Sequence, residues 1–334
     1  MINKEIGSDF YSLELQEEEN HFFNNDIEWF ISGRAALDFI LRDIISKYNV
    51  KTIGVPSWCC DTMLEPITRN NLEIKFYSVY YENGLKKNID VDVDILLNLD
   101  YFGYLNDSLN FNGIVITDAS HSIFTNYKLD GDYIFGSLRK WTGFITGGFA
   151  YSKNGFNIEM YSNENEEYIN TRKKAMEEKE KYITGKIDDK GYLNIFSKAE
   201  KMLDTLYSYK AYDKDIVDAK HLNIEFIRNR RKENARELLK EVNEYAIFKE
   251  VRDDDCPLFV PIIISNRDKL RRYLIDKKIY CPIHWPISNL HHLNDRELYI
   301  YQNELSLVCD QRYNIDDMKY LIKCIKEFLD AWDL

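Results

Sequence analysis

The amino-acid sequence predicts an α/β protein: a three-layer large domain on a mostly parallel sheet, followed by a smaller α+β domain at the C-terminal end. Three observations carry that reading. Short apolar runs recur through the first 150 residues, and several are continuous rather than alternating, the pattern of strands buried on both faces. A helical stretch separates two of these runs, as a crossover between parallel strands requires. After a long charged segment of helical pattern, strands and helices mix again near the end of the chain. With 334 residues, 45% of them hydrophobic, the chain is long enough for more than one folding unit.

The elements follow in order. From Ser32, Ala36, Leu37, Ile40, Leu41, Ile44, Ile45 and Tyr48 mark one apolar helical face, with Ser32 as the N-cap. The strand-like runs are TIGV at 52–55, IKFYSV at 74–79, ILLNL at 95–99, GIVIT at 113–117, YIFG at 133–136 and GFAYS at 148–152, with the helical CDTMLEPITRN between the first two. Residues 160 to 240 read as charged helices, for example FSKAEKMLDTLYSY and DAKHLNIEFIRNRRKENARELLKEV. Beyond them LFVPIII and KIYCPIHW read as strands, RDKLRRYLID and DDMKYLIKCIKEFLDAW as helices. The expected division is 1–240 for the large domain with its helical segment and 241–334 for the small one.

Composition narrows the function classes. A net charge of −12 disfavours a broad grip on nucleic acid or an anionic membrane. No apolar run is long enough to span a bilayer, and the acidic start of the chain lacks a signal-peptide core. The six cysteines are scattered, without paired CxxC spacing, which fits a reducing cytoplasm.

Four stretches can carry chemistry. In GSLRKWTGFITGG, Lys140 follows a strand and precedes Gly143, Gly147 and Gly148, which let backbone pass close to a ligand. A semi-buried lysine beside Arg139 is a nucleophile toward carbonyls; taken alone, the stretch fits a solvated strand-end lysine slightly better. In VITDASHSIF, Asp118 ends a strand, where ligands of open α/β sheets sit, and can pair with a protonated ring nitrogen that His121 would also reach. The competing readings there are a turn-capping Asp with a structural His, or a metal site lacking a third ligand. Ser32, Gly33, Arg34 and Ala35 open a helix whose free N–H groups suit a phosphate, as any helix start does. Trp58, between strand and helix, can lay its indole on a flat ring, though core packing is its usual fate, and Cys59 and Cys60 read as small buried hydrophobes. Together these supply an amine, a carboxylate, a phosphate cradle and an aromatic face from the loops of one sheet, which are the needs of pyridoxal 5′-phosphate.

The sequence resembles the fold-type I pyridoxal-phosphate enzymes, and among them the DegT/StrS-type sugar aminotransferases. The resemblance runs through SGRAAL, VPSWCCDTMLEP, LDYFG, DASHS, SLRKWTGFITGG, CPIHWP and LSLVCDQRY, in that order, with DASHS and SLRKW…GG the specific parts. It implies that Lys140 forms the Schiff base with the cofactor and moves the proton, and that Asp118 pairs with the pyridinium nitrogen. By the same resemblance, His121 touches the ring's 3-hydroxyl side and Ser137 with the Gly33 to Ala35 amides holds the phosphate. Trp58 stacks on the ring, and His284, Trp285, Arg312 and Tyr313 stand near the substrate. It implies a cytoplasmic homodimer that moves an amino group, from glutamate, onto a keto-sugar, nucleotide-linked in many such enzymes, for polysaccharide or secondary-metabolite biosynthesis. The glycine-Asn-aromatic-Arg motif that the family often places after the lysine is missing, since residues 160 to 230 are poor in glycine and highly charged.

Alternatives remain at this level. A pyridoxal-phosphate dehydratase or lyase shares the cofactor, and a non-catalytic relative would bind the cofactor or a sugar nucleotide without turnover. Cys281, His284, His291 and His292 offer half a zinc site without regular spacing, so no metal is expected.

Overall fold

The computed structural model describes residues 5–23, 26–105, 111–126 and 129–332. The chain opens with a two-residue strand β1 (Ile6–Gly7) and β2 (Ile27–Phe30), then α1 (Gly33–Lys47), β3 (Thr52–Pro56), α2 (Leu64–Arg69), β4 (Glu73–Tyr81), β5 (Leu85–Asn88) and β6 (Ile95–Leu99). β7 (Ile114–Asp118), β8 (Tyr133–Ser137) and β9 (Gly148–Ser152) complete the main sheet. Among the described residues this sheet has eight strands in the order β2-β9-β8-β7-β6-β3-β4-β5. Its centre, β4-β3-β6-β7-β8, is parallel, while β2, β9 and β5 join antiparallel. β6 is buried along its whole length, which is why ILLNL has no polar face.

The predicted helix at Ser32 forms as expected: the Ser32 side chain caps it by accepting the Ala35 N–H at 3.1 Å. Its apolar stripe is narrower than the spacing suggests. Ala36, Leu37, Ile40, Leu41 and Ile44 face the sheet, but Ile45 and Tyr48 are 40% and 50% exposed at the end where the helix leaves it.

After β9 come α3 (Glu166–Ile183) and α4 (Tyr192–Met202), packed against each other, then α5 (Asp213–Lys220) and α6 (Ile224–Val242). The remainder is β10 (Phe259–Ile263), α7 (Arg267–Asp276), β11 (Ile279–Tyr280), α8 (Asp295–Asn303), β12 (Glu304–Val308) and α9 (Ile315–Trp332). β10 pairs antiparallel with β12, and the N-terminal β1 pairs parallel with β11. A core separate from that of the main sheet gathers Val260, Ile262, Leu305, Leu307, Leu321 and Ile325, together with Ile6 from the N-terminus and Leu238 from α6. The strand predicted over KIYCPIHW is only two residues long. Past Tyr280 the chain leaves β1 behind and runs through Pro282, which has no N–H to give a ladder. No helix among the described residues is long and apolar enough to cross a membrane.

Candidate active site

The neighbouring parallel strands β7 and β8 bring Asp118 and Ser137 to the same, C-terminal edge of the sheet. The chain then makes one tight 3₁₀ turn, Leu138–Lys140, and returns as β9, the loop being closed by the Leu138 N–H donating to the Gly147 carbonyl at 2.8 Å. Lys140 is therefore presented from a closed turn at the sheet edge, where an open α/β sheet binds its ligands. A cavity of about 380 Å³ lies there, walled by Asp118, Ser137, Lys140, Gly33 and Arg34 and floored partly by Met63.

Glycine makes the close approach of α1 possible. A Cβ on Gly148 would lie 2.2 Å from the Ser32 carbonyl carbon, so only glycine lets the helix start rest against β9. The amides of Gly33 and Arg34, in the first turn, have no intrahelical partner and carry the positive end of a fifteen-residue helix. Beside them the buried Ser137 Oγ has no hydrogen-bond partner among the described residues.

Asp118 is buried, and one carboxylate oxygen accepts the Ser120 N–H at 2.8 Å. Desolvation pushes its pKa above the ordinary carboxylate value, against the opposing pull of the Ser120 hydrogen bonds and the Lys140 charge. Lys140 Nζ lies 3.2 Å from His121 Nε2. Burial first, then the Lys140 and His284 charges, holds the His121 pKa well below the usual range, so its imidazole is neutral. The Phe102 N–H approaches Nδ1 at 3.4 Å, and Nε2 is the ring nitrogen that faces the lysine. His121 thus reaches the site through Lys140, its ring held between Phe102 and Trp285.

A second cavity of about 360 Å³ adjoins the first, and Arg139, Lys140 and Arg172 line both. Its other walls include His284, Arg271 and Arg312, with the N-terminal Gly7 to Phe10 along the rim. A further cavity of about 420 Å³ opens at the opposite end of β7 and β8, between Gly113, Asp130 and Lys153, away from Asp118 and Lys140.

The structure brings Lys140, Asp118, Ser137, Gly33 and Arg34 to one cavity, with His121 in contact with the lysine. Other expected residues are placed differently. Ala35 spends its amide on the Ser32 cap, so the free amides at the helix start are those of Gly33 and Arg34. Trp58 is wholly buried behind the cavity: its ring stacks on Tyr101 at 4.9 Å and 12°, and its N–H donates to the His284 carbonyl at 2.6 Å. No free indole face is left for a ligand ring, because the loop after β3 turns inward under the C-terminal segment.

Trp285 lies nearly parallel to His121, with the lysine nitrogen 6.0 Å from its ring centroid. His284 faces the second cavity, its Nδ1 2.9 Å from Ser306 Oγ. Arg312 lines that cavity too, but its fork is spent on the Asp310 carboxylate and the Ser8 and Asp9 carbonyls. Tyr313 belongs to the C-terminal core and accepts the Gly7 N–H at 2.8 Å. His291 lies against Cys59, 3.6 Å from its sulfur, and the described residues contain no group of three ligands suited to a metal ion.

Sequence reasoning missed Arg172, Glu200, Asp9 and Arg271, which line one or both cavities. Glu200 receives Arg139 at 2.5 Å and Arg172 at 2.8 Å. These residues come from α3, α4, α7 and the N-terminal segment, and nothing in their local sequence marks them.

No protein-family model matches the chain, and no curated protein sequence matches it either. Solved structures do. PseC of Helicobacter pylori, an aminotransferase involved in the biosynthesis of pseudoaminic acid, superposes with a TM-score of 0.65 at 11% identity, covering 97% of this chain and 100% of its own. DesV of S. venezuelae, solved in complex with a ketimine intermediate, gives 0.64 at 14% identity over 96% and 91%. A DegT DnrJ EryC1 StrS aminotransferase from Brucella abortus gives 0.61 at 16% identity over 90% and 85%. The chain has the fold of these aminotransferases, along nearly its whole length.

Proposed function

We propose that the chain is a pyridoxal-phosphate-dependent aminotransferase of the DegT/StrS type, which moves an amino group from glutamate onto a nucleotide-linked keto-sugar. The observation that carries this is the meeting of Lys140 and Asp118 at one cavity, at the carboxyl edge of a parallel sheet, beside a built anion cradle. The cradle passes a test of fit for the cofactor: a buried Ser137 hydroxyl without a partner among the described residues, two free amides, and a glycine, Gly148, where any Cβ would collide with the helix start. The solved structures that share the fold include sugar aminotransferases, and this supports the same reading.

When bound, the cofactor supplies an aldehyde that carries the amino group and a ring that accepts electrons from the substrate. Ser137 and the Gly33 and Arg34 amides would hold its phosphate, and Asp118 its ring nitrogen. Burial makes an isolated carboxylate at Asp118 costly, so this side chain gains most from a cationic partner. Lys140 supplies the amine and, once displaced, holds and returns the proton at Nζ. His121 keeps that amine in position by a hydrogen bond while adding no second positive charge. Trp285 and Phe102, packed around His121, exclude water from behind the lysine.

The test is spectroscopic. The protein titrated with pyridoxal 5′-phosphate gains a visible absorption band that Lys140→Ala does not form. A protein that stays colourless overturns the assignment. With cofactor loaded, 2-oxoglutarate is released from glutamate in proportion to keto-sugar consumed; sugar-dependent loss of water without it would mark a lyase instead.

A further inference from the structure

We propose that Arg172, together with Arg139, forms an oxyanion site that completes the phosphate end of the cavity within a single chain. This rests on the cofactor reading above for the identity of the phosphate, but its observations are separate.

The first is an imbalance of hydrogen bonds. Among the described residues, buried side-chain atoms without a partner are Ser122 Oγ, Ser137 Oγ, Arg139 Nε, Arg172 Nε and Asn234 Oδ1. Three of the five belong to residues that line the cavity shared by Asp118 and Lys140. Buried polar groups are nearly always satisfied, and a guanidinium N–H is among the most demanding. Here a hydroxyl and two guanidinium donors all lack an acceptor, at the place where α1 also presents two free amides.

The second is that the arm is built and held. Arg172 is 4% exposed, its guanidinium lies 4.7 Å over the Phe196 ring, and Glu200 takes its Nη1 at 2.8 Å. The same carboxylate takes both terminal nitrogens of Arg139, at 2.5 and 3.3 Å. Burial alone would raise the Glu200 pKa, but Arg139 and then Arg172 outweigh it and keep the carboxylate ionised. Glu200 therefore aligns the two arginines through their terminal nitrogens and leaves both Nε edges unused. Two arginines share the one Glu200 carboxylate, in a chain of net charge −12, with Asp9 also on the cavity wall.

A phosphoryl group fits these donors better than a carboxylate does. It offers three terminal oxygens and close to two negative charges, against two oxygens and one charge. These donors all come from one chain: a hydroxyl from the end of β8, Arg139 from the turn after it, amides from the start of α1, and Arg172 from α3.

The experiment compares pyridoxal 5′-phosphate with pyridoxal, which lacks the phosphate, on the full chain by visible titration. Arg172→Gln is expected to weaken the phosphorylated form about tenfold or more and to leave pyridoxal nearly unchanged. Ser137→Ala gives a smaller loss of the same kind, about threefold. Arg172→Lys keeps the charge without the fork and recovers part of the loss, which guards against a variant that merely misfolds. An unchanged ratio of the two affinities in folded Arg172→Gln overturns the proposal. So does an unchanged cofactor affinity with a raised KM for glutamate, which would assign the arm to the substrate. Inorganic phosphate separates the two readings. If the wild type takes no cofactor yet is stabilised against heat by phosphate, and Arg172→Gln is not, the cofactor reading fails and the anion site stands. If phosphate stabilises neither protein, the anion site fails as well.

Discussion

The cavity has two walls of different origin. The sheet-edge wall comes from one stretch, Asp118 to Lys140, in which two adjacent parallel strands end side by side and place an amine and a carboxylate together. The far wall is assembled from distant pieces: Asp9 near the start of the chain, Arg172 on α3 and Glu200 on α4. On the proposed function the first wall holds the reacting amine and the carboxylate that pairs with the ring, positioned by strand register. The second holds Arg172, which Glu200 ties by an ion-pair bridge to Arg139 of the first wall. Strand ends fix a geometry the chain cannot easily change, while helices packed on the outside can change their side chains and leave the sheet intact.

Substitutions separate the two walls. Lys140→Ala, on the sheet edge, is expected to abolish the visible band and to reduce amino transfer about a thousandfold or more, read by coupled assay of 2-oxoglutarate. Asp118→Asn keeps shape but not charge; transfer falls about a hundredfold while cofactor still binds. That same change stabilises the cofactor-free protein. Because burial raises the Asp118 pKa, the folded state holds its proton above the pH at which the unfolded chain releases it, so stability is lost as pH rises through that interval. Removing the ionisation should raise the cofactor-free melting temperature at neutral pH by roughly a degree or more, and an unchanged or lower value would contradict a desolvated carboxylate.

Gly148→Ala tests the seam between α1 and the sheet. Its Cβ would fall 2.2 Å from the Ser32 carbonyl carbon, and the helix start must shift at a cost of about 1–3 kcal/mol or more, seen as a lower denaturation midpoint together with weaker cofactor binding. The smallest effect comes from the histidines. Burial is the leading cause lowering the pKa of His121, His284 and His291. The unfolded chain thus binds protons that the folded one refuses, and stability falls as pH drops below about 6.5. Urea midpoints between pH 7 and 5 measure this, and replacing His291, the one farthest from Lys140, should shallow the slope.

The two walls also differ in how far they could be read in advance. The runs TIGV, ILLNL, GIVIT and YIFG announce buried parallel strands, and the residues at their ends follow from the fold, so Asp118, Ser137 and Lys140 were legible. Trp58 was legible as an aromatic at a strand end but not as one turned inward, because Tyr101 and the His284 carbonyl claim it from elsewhere in the chain. Arg312 reads as a substrate-binding cation until Asp310 and two backbone carbonyls are seen to occupy its fork. Arg172 lies within a run of charged helical residues, where nothing distinguishes a solvated arginine from one whose guanidinium rests on Phe196.

The N-terminal segment has a consequence for the order of assembly. Ile6 and Gly7 pair with Ile279 and Tyr280, Arg312 holds the Ser8 and Asp9 carbonyls, and Gly143 donates to the Ser12 carbonyl. Residues 6 to 9 therefore find these strand and arginine partners more than 270 positions further along the chain. Closing so long a loop is entropically expensive and kinetically late. The main sheet needs none of these contacts, whereas the rim that Asp9 contributes to both cavities is held in part by them. A chain cut before Ile279 would carry the lysine and the aspartate in an unfinished pocket.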